Sequence, residues 1–354
     1  MATIALPIRR LGASSTTFPL FLGVLGTVVA MLGTSWDVSW HRMIGRDTFW
    51  SAPHLGMYAG VALNGLAALV ATAGAIGGRP TVGRELRIGP LRAELGFAFV
   101  GIGAAGVILS APVDDAWHRA FGRDVDIWSA PHLVAIAFAG LIYVGWILVL
   151  GRGTVPVPES VRRGLRFGFL GALAGIAGFS MNFYYMQAVT REAFFYPLLV
   201  AALLPVVFAA AQALEDERWA ATITAVAYTA IALTIYAVLE LTGWRPPAFP
   251  PLVVVGVLAV DLVRRRTRSP LALGVAFMVP FVAAEWIRML VFPPAPPVAQ
   301  IAADPRGASV FFFYYGQALA RPWTSAWPVA AMAVGSVVAA LSWSVGSRVG
   351  LALR

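Results

Sequence analysis

Apolar residues run along this chain in stretches of about twenty, broken by short segments rich in arginine, proline and glycine. A helix of that length matches the ~30 Å hydrocarbon layer of a bilayer. The first span is expected at about 18–33. Nine more are centred near 55–77, 93–112, 132–151, 165–183, 194–213, 219–240, 250–263, 270–291 and 326–347, the short eighth span being the weakest. The expected fold is all-α: a polytopic membrane helix bundle of about ten transmembrane helices, with residues 1–354 forming one integral membrane domain. Arg9 and Arg10 ahead of the first run suggest an export signal. No small-residue cleavage site precedes Asp37, so the run is read as an uncleaved first helix.

Composition agrees with the pattern. The chain is 59% hydrophobic and 12% charged, and its mean hydropathy is +0.77. Cysteine is absent, which excludes disulfides, thiolate ligands and iron–sulfur clusters. All 26 basic residues are arginine and the net charge is +9. These arginines fall in clusters between apolar runs, which fits membrane topology and not a nucleic-acid surface. Arg9–Arg10, Arg79–Arg92, Arg152–Arg166, Arg218, Arg264–Arg268 and Arg348–Arg354 lie on one side if ten spans alternate. The positive-inside rule makes that side, with both termini, cytoplasmic. The expected location is the inner membrane of a bacterium, with the remaining connections facing the periplasm.

Two of those outward connections carry the same sequence. Trp36–Leu55 reads WDVSWHRMIGRDTFWSAPHL and Val113–Leu133 reads VDDAWHRAFGRDVDIWSAPHL, with one residue inserted in the second. All four histidines of the chain lie in these copies. Internal repeat units are expected over about 18–78 and 93–152. FYYMQAVTR at 183–191 and FYYGQALAR at 313–321 resemble each other, and suggest decayed copies over about 165–213 and 270–347. Interfacial aromatic composition explains the same two segments without descent from the motif.

Each copy offers two imidazoles and one carboxylate. Asp37 and His41, four residues apart, share one face of a helix at the outer end of the first span. Ser51 and Pro53 suggest the N-cap and first turn of the next helix, so that His54 returns towards them. Asp114, His118 and His132 repeat the arrangement; Asp115 is a competing carboxylate with the wrong spacing. Three such ligands leave coordination positions open for water, dioxygen or substrate, and suit copper, zinc or iron. Arg42, Arg46, Asp47, Arg119, Arg123 and Asp124 are expected around the ligands as orienting or loop-closing ion pairs. Trp40, Trp50, Trp117 and Trp128 are expected as interfacial anchors. Among polar residues at membrane depth, Asn64 stands alone, whereas Glu285 and Arg288 are three apart and are expected to pair.

The motif resembles the metal site of the C subunit of the particulate methane and ammonia monooxygenases, at Asp37, Trp40, His41, Arg46, Asp47, Thr48 and His54. That resemblance covers about 20 residues per copy. It implies copper, or zinc in its place, in a membrane system that oxidises hydrocarbons or ammonia together with other membrane subunits and an exported copper protein. Two departures stand out: the motif is duplicated, and Val125 replaces the threonine in the second copy.

Three functions follow as expectations. The first is a copper-dependent, monooxygenase-like membrane protein acting on a small apolar substrate. The second is a non-catalytic protein that stores copper or delivers it to an oxidase. The third is a structural membrane protein whose histidines only lock helical hairpins, with no metal.

Overall fold

The computed structural model describes residues 16–44, 48–78, 84–89, 91–121, 129–151, 155–181, 192–246, 249–292 and 320–354. Among them the apolar runs become ten helices: α1 Thr17–Met43, α2 Ala52–Ile76, α3 Leu95–Phe121, α4 Ala130–Gly151, α5 Glu159–Met181, α6 Phe195–Leu214, α7 Ala220–Leu241, α8 Val253–Val263, α9 Pro270–Val291 and α10 Trp327–Leu353. A small departure from the all-helical expectation is the hairpin of β1 (Glu85–Ile88) and β2 (Leu91–Glu94), with Gly89 at φ +58° in its turn. From sequence this arginine-bearing stretch reads as a plain connection.

Eight of the ten helices are long and apolar enough to cross a membrane. The sequence predicts ten spans; among the described residues the other two, α5 and α8, do not reach that combination of length and hydropathy. Helix α5 carries Glu159, Arg162, Arg163 and Arg166 in its first turns, which shortens its apolar part. Helix α8 has 11 residues, about 16 Å at the helical rise. Large apolar side chains on the spanning helices face outwards, among them Leu69, Leu109, Ile287 and Leu341. That is what a bilayer-facing surface requires.

The chain divides into two compact units, one of Met1–Thr34, Phe49–Asp115 and Pro131–Phe169, the other of Ser35–Thr48, Ala116–Ala130 and Leu170–Arg354. In the first unit glycine lets helix backbones meet. A Cβ on Gly26 would stand 2.6 Å from the Gly60 carbonyl and 2.7 Å from Asn64. A Cβ on Gly103 would stand 2.7 Å from the Phe138 carbonyl and 2.8 Å from Ile142. Gly26 precedes Gly103 by 77 residues, and Gly60 precedes Phe138 by 78; Asp37 to Asp114 and His54 to His132 show the same offsets. Trp146 of this unit is fully buried. It stacks on Phe169 at 16°, meets Phe97 edge-on and donates its indole N–H to Asn64 Oδ1 at 2.7 Å. Asn64 Nδ2 in turn donates to the Gly60 carbonyl at 3.0 Å, so this residue has a structural explanation.

In the second unit α10 packs on α6 and α9, α9 on α8, and α7 on α6 and α8. Buried carboxylates close the helix ends. Asp261, near the end of α8, accepts the Thr222 N–H at 2.9 Å and its hydroxyl at 2.6 Å, and also accepts Gln212 Nε2. Gln212 Oε1 accepts the Trp343 indole N–H at 3.3 Å, which links α6, α7, α8 and α10. Glu285, fully buried on α9, accepts the Leu252 N–H at 2.7 Å ahead of α8. As expected it also pairs with Arg288, at 2.5 Å to Nη2. Proline at 246, 250 and 251 disfavours a helix in the chain before Leu252. The start of α8 is capped by a carboxylate from its neighbour α9.

Beside α6, Glu192 accepts backbone N–H groups of Phe194, Phe195 and Tyr196, and ion-pairs with Arg321 Nε at 2.6 Å. Burial pushes its carboxyl above the usual range, while Arg321 and the three N–H groups pull it down. Of the two resembling aromatic segments, 183–191 lies outside the described residues, as does 313–319.

Candidate metal centre

Asp37 and His41 occupy the last two turns of α1, one turn apart on one face, as their spacing predicts. Helix α2 starts at Ala52 after Ser51, which takes extended N-cap dihedrals of −60° and 153°. The Ser51 hydroxyl does not make the capping bond, whereas its carbonyl accepts the Leu55 N–H at 3.0 Å. Pro53 sits in the first turn and His54 is the third residue of the helix. Asp114 and His118 stand likewise near the end of α3, with His132 third in α4.

Asp37, His41 and His54 converge, and so do Asp114, His118 and His132. In each group one ligand atom per residue lies within 4.8 Å of the others, and all six residues are half-buried. Asp115, though adjacent in sequence, is not in the cluster. His41 Nε2 stands 3.7 Å from Asp37 Oδ2, and His132 Nε2 stands 3.4 Å from Asp114 Oδ2. These separations exceed the ~2.7–2.9 Å of a charge-assisted hydrogen bond. They match the about 3.3–3.6 Å between ligands in a tetrahedron with 2.0–2.2 Å metal bonds. The widest ligand pairs need about 1 Å of side-chain adjustment to reach that geometry. The donor set and its spacing therefore fit a metal ion.

The surroundings of the two triads differ. Trp40 stacks on Trp244 at 17° and 5.6 Å, and Trp36 meets Trp244 edge-on at 5.6 Å. His54 lies 5.9 Å from the Tyr58 ring, which contacts Phe49. In the second copy Trp117 tilts against Phe121 at 4.5 Å, and Ile136 replaces the tyrosine. Trp50 is 70% exposed, in keeping with an interfacial anchor. Arg119 is exposed on α3. Arg46, Asp47, Arg123, Asp124 and the side chain of Arg42 lie outside the described residues, so their orienting role is a proposal, and the expected anchor Trp128 lies outside them too.

Sequence reasoning missed Trp244. The signal available was a tryptophan after Gly243 and directly before Arg245-Pro246, on a connection otherwise read only as a link between spans.

Compared with protein-family models, curated proteins and solved structures, the chain finds no match.

Proposed function

We propose that this is an integral membrane metalloprotein with two mononuclear Asp-His-His sites, and that the metal is copper. The supporting observation is the convergence, in both copies of a duplicated motif, of two imidazoles and one carboxylate at metal-ligand separations. Zinc and iron suit the same donors; copper is preferred on the resemblance to the C subunit of the particulate monooxygenases. Asp37, His41 and His54 hold one ion, and Asp114, His118 and His132 the other. Bound copper would supply dioxygen and electron-transfer chemistry.

The residues themselves fix two ligands on the end of one helix and the third on the start of the next. Such a set leaves open the positions where dioxygen and a small apolar substrate would meet. Arg42, Arg46, Asp47 and their counterparts Arg119, Arg123 and Asp124 orient the ligands through ion pairs. The shared offsets of Gly26–Gly103 and Gly60–Phe138 support an internal repeat that extends into the helix packing. The arginine clusters support cytoplasmic termini, a bacterial inner membrane and sites facing the periplasm. Other membrane subunits and an exported copper protein are the partners this reading implies.

The catalytic part is tested by dioxygen uptake of the copper-loaded protein, supplied with a reductant and either a short alkane or ammonia. Substrate-dependent uptake that disappears in His41→Ala or His118→Ala supports it. Two stably bound, exchangeable coppers with no uptake for any substrate overturn it in favour of storage and delivery.

A further inference from the structure

We propose that Trp244 and Arg245 are positioning residues for Asp37 and His41, and that they make the first metal site tighter than the second. This rests on the metal-binding reading above.

Trp36, Ser39, Trp40 and Met43 recur at i, i+3, i+4 and i+7, and so form one stripe along the C-terminal end of α1. The segment after α7 seats on that whole stripe. The Trp244 ring stacks on Trp40 and abuts Trp36, their indoles 5.6 Å away in both cases. Ser39, fully buried, donates its hydroxyl to the Arg245 carbonyl at 2.7 Å. The Arg245 N–H donates to Met43 Sδ at 3.1 Å. Both backbone polar groups of Arg245 are thus held by α1 side chains one turn apart.

The segment is itself firmly presented. Gly243, at φ +81°, turns the chain out of α7, and the Trp244 N–H closes back on the Leu239 carbonyl at 2.8 Å. Asp37 follows Trp36 and His41 follows Trp40, about 100° around the helix from the clamped stripe. Fixing the stripe fixes the rotation and register of the turns that carry both ligands.

The second copy cannot be clamped this way. Val113, Ala116, Trp117 and Ala120 stand where the first has Trp36, Ser39, Trp40 and Met43. Only the tryptophan is kept, and it packs on Phe121 of its own helix. Neither alanine side chain has a group to donate to a carbonyl or accept from an N–H. A ligand pair held in place before the metal arrives loses less freedom on binding, so affinity rises.

The test loads the detergent-purified, full-length protein with copper(II) and titrates it with a competing chelator. His41→Ala and His118→Ala assign the release phases. The expected wild-type result is two phases, with the His41 phase on the order of tenfold tighter. Trp244→Ala and Ser39→Ala should weaken that phase by on the order of 10- to 100-fold and leave the His118 phase in place as an internal control of folding. Trp244→Phe, which keeps a stacking ring, should restore most of the affinity and the copper spectrum of the first site. Equal affinities in the wild type, or variants that move both phases together or neither, overturn the clamp while leaving two metal sites. Failure of the wild type to bind copper, zinc or iron overturns both the clamp and the metal reading.

Discussion

Asp114 Oδ2 and His132 Nε2 stand 3.4 Å apart, although 18 residues and a helix reversal separate them in the chain. In the first copy Asp37 Oδ2 and His41 Nε2 stand 3.7 Å apart, one turn apart on one helix. In both copies the carboxylate is half-buried and close to an imidazole, so it is the group whose charge a cation would neutralise.

The carboxylates should therefore be as necessary as the histidines. Asp37→Asn and Asp114→Asn keep the shape and remove the charge. Each is expected to weaken its own site at least about tenfold, read by chelator competition, with the other site unchanged. Binding should strengthen as pH rises from acid to neutral, because a proton and a metal compete for the same imidazole nitrogen. Proton release on loading, followed with a pH indicator in weak buffer, checks this.

Trp146 and Asn64 form a buried donor–acceptor pair at 2.7 Å in the first unit. Asn64→Leu leaves the indole N–H without its acceptor and is expected to cost about 1–2 kcal/mol, read by thermal unfolding in detergent. Trp146→Phe adds a packing loss. In a double-mutant cycle the pair should show favourable coupling, and additive effects would exclude the bond as a stabilising contact.

What was legible in the sequence follows the physics at each place. Helix positions were legible because ~20-residue apolar runs leave the backbone no alternative in lipid. The triads were legible because i, i+4 spacing and a proline-started helix are local signals. Helix α8 was only partly legible. Its apolar content shows in sequence, but its start is set by Glu285, 33 residues away from Leu252. Trp244 was not legible as a support for Trp40, since that contact joins segments about 200 residues apart. The hairpin at Glu85–Glu94 was hidden as well. Its strands read ELRI and LRAE, with Ile88 alone β-branched, so the turn at Gly89 and not strand propensity makes it.

Asp261 holds together the start of α7 and the ends of α6 and α8. Asp261→Ala strands the Thr222 N–H and the Gln212 amide together. It is expected to cost on the order of 3 kcal/mol, whereas Asp261→Asn, which keeps an acceptor, should cost less. Equal losses in the two variants would rule out hydrogen bonding as the cause.

Tyr196 and Tyr228 are buried, and their hydroxyls have no hydrogen-bond partner among the described residues. The ring of Tyr228 lies along α5, where a Cβ on Gly178 would stand 3.0 Å from its hydroxyl. Tyr228→Phe should therefore be neutral or stabilising by up to about 1 kcal/mol. Glu285→Ala, which leaves Arg288 and the Leu252 N–H unmatched, should cost about 3–5 kcal/mol. Thermal midpoints of the two variants, compared with wild type, separate these effects.

Metal content of the purified protein tests the central claim most directly, measured by elemental analysis beside His41→Ala and His118→Ala. Two equivalents of copper in the wild type, with one lost in each variant, is the predicted result. A correctly folded wild type that holds no copper, zinc or iron after incubation with each would contradict it, and would leave the histidines as hairpin locks.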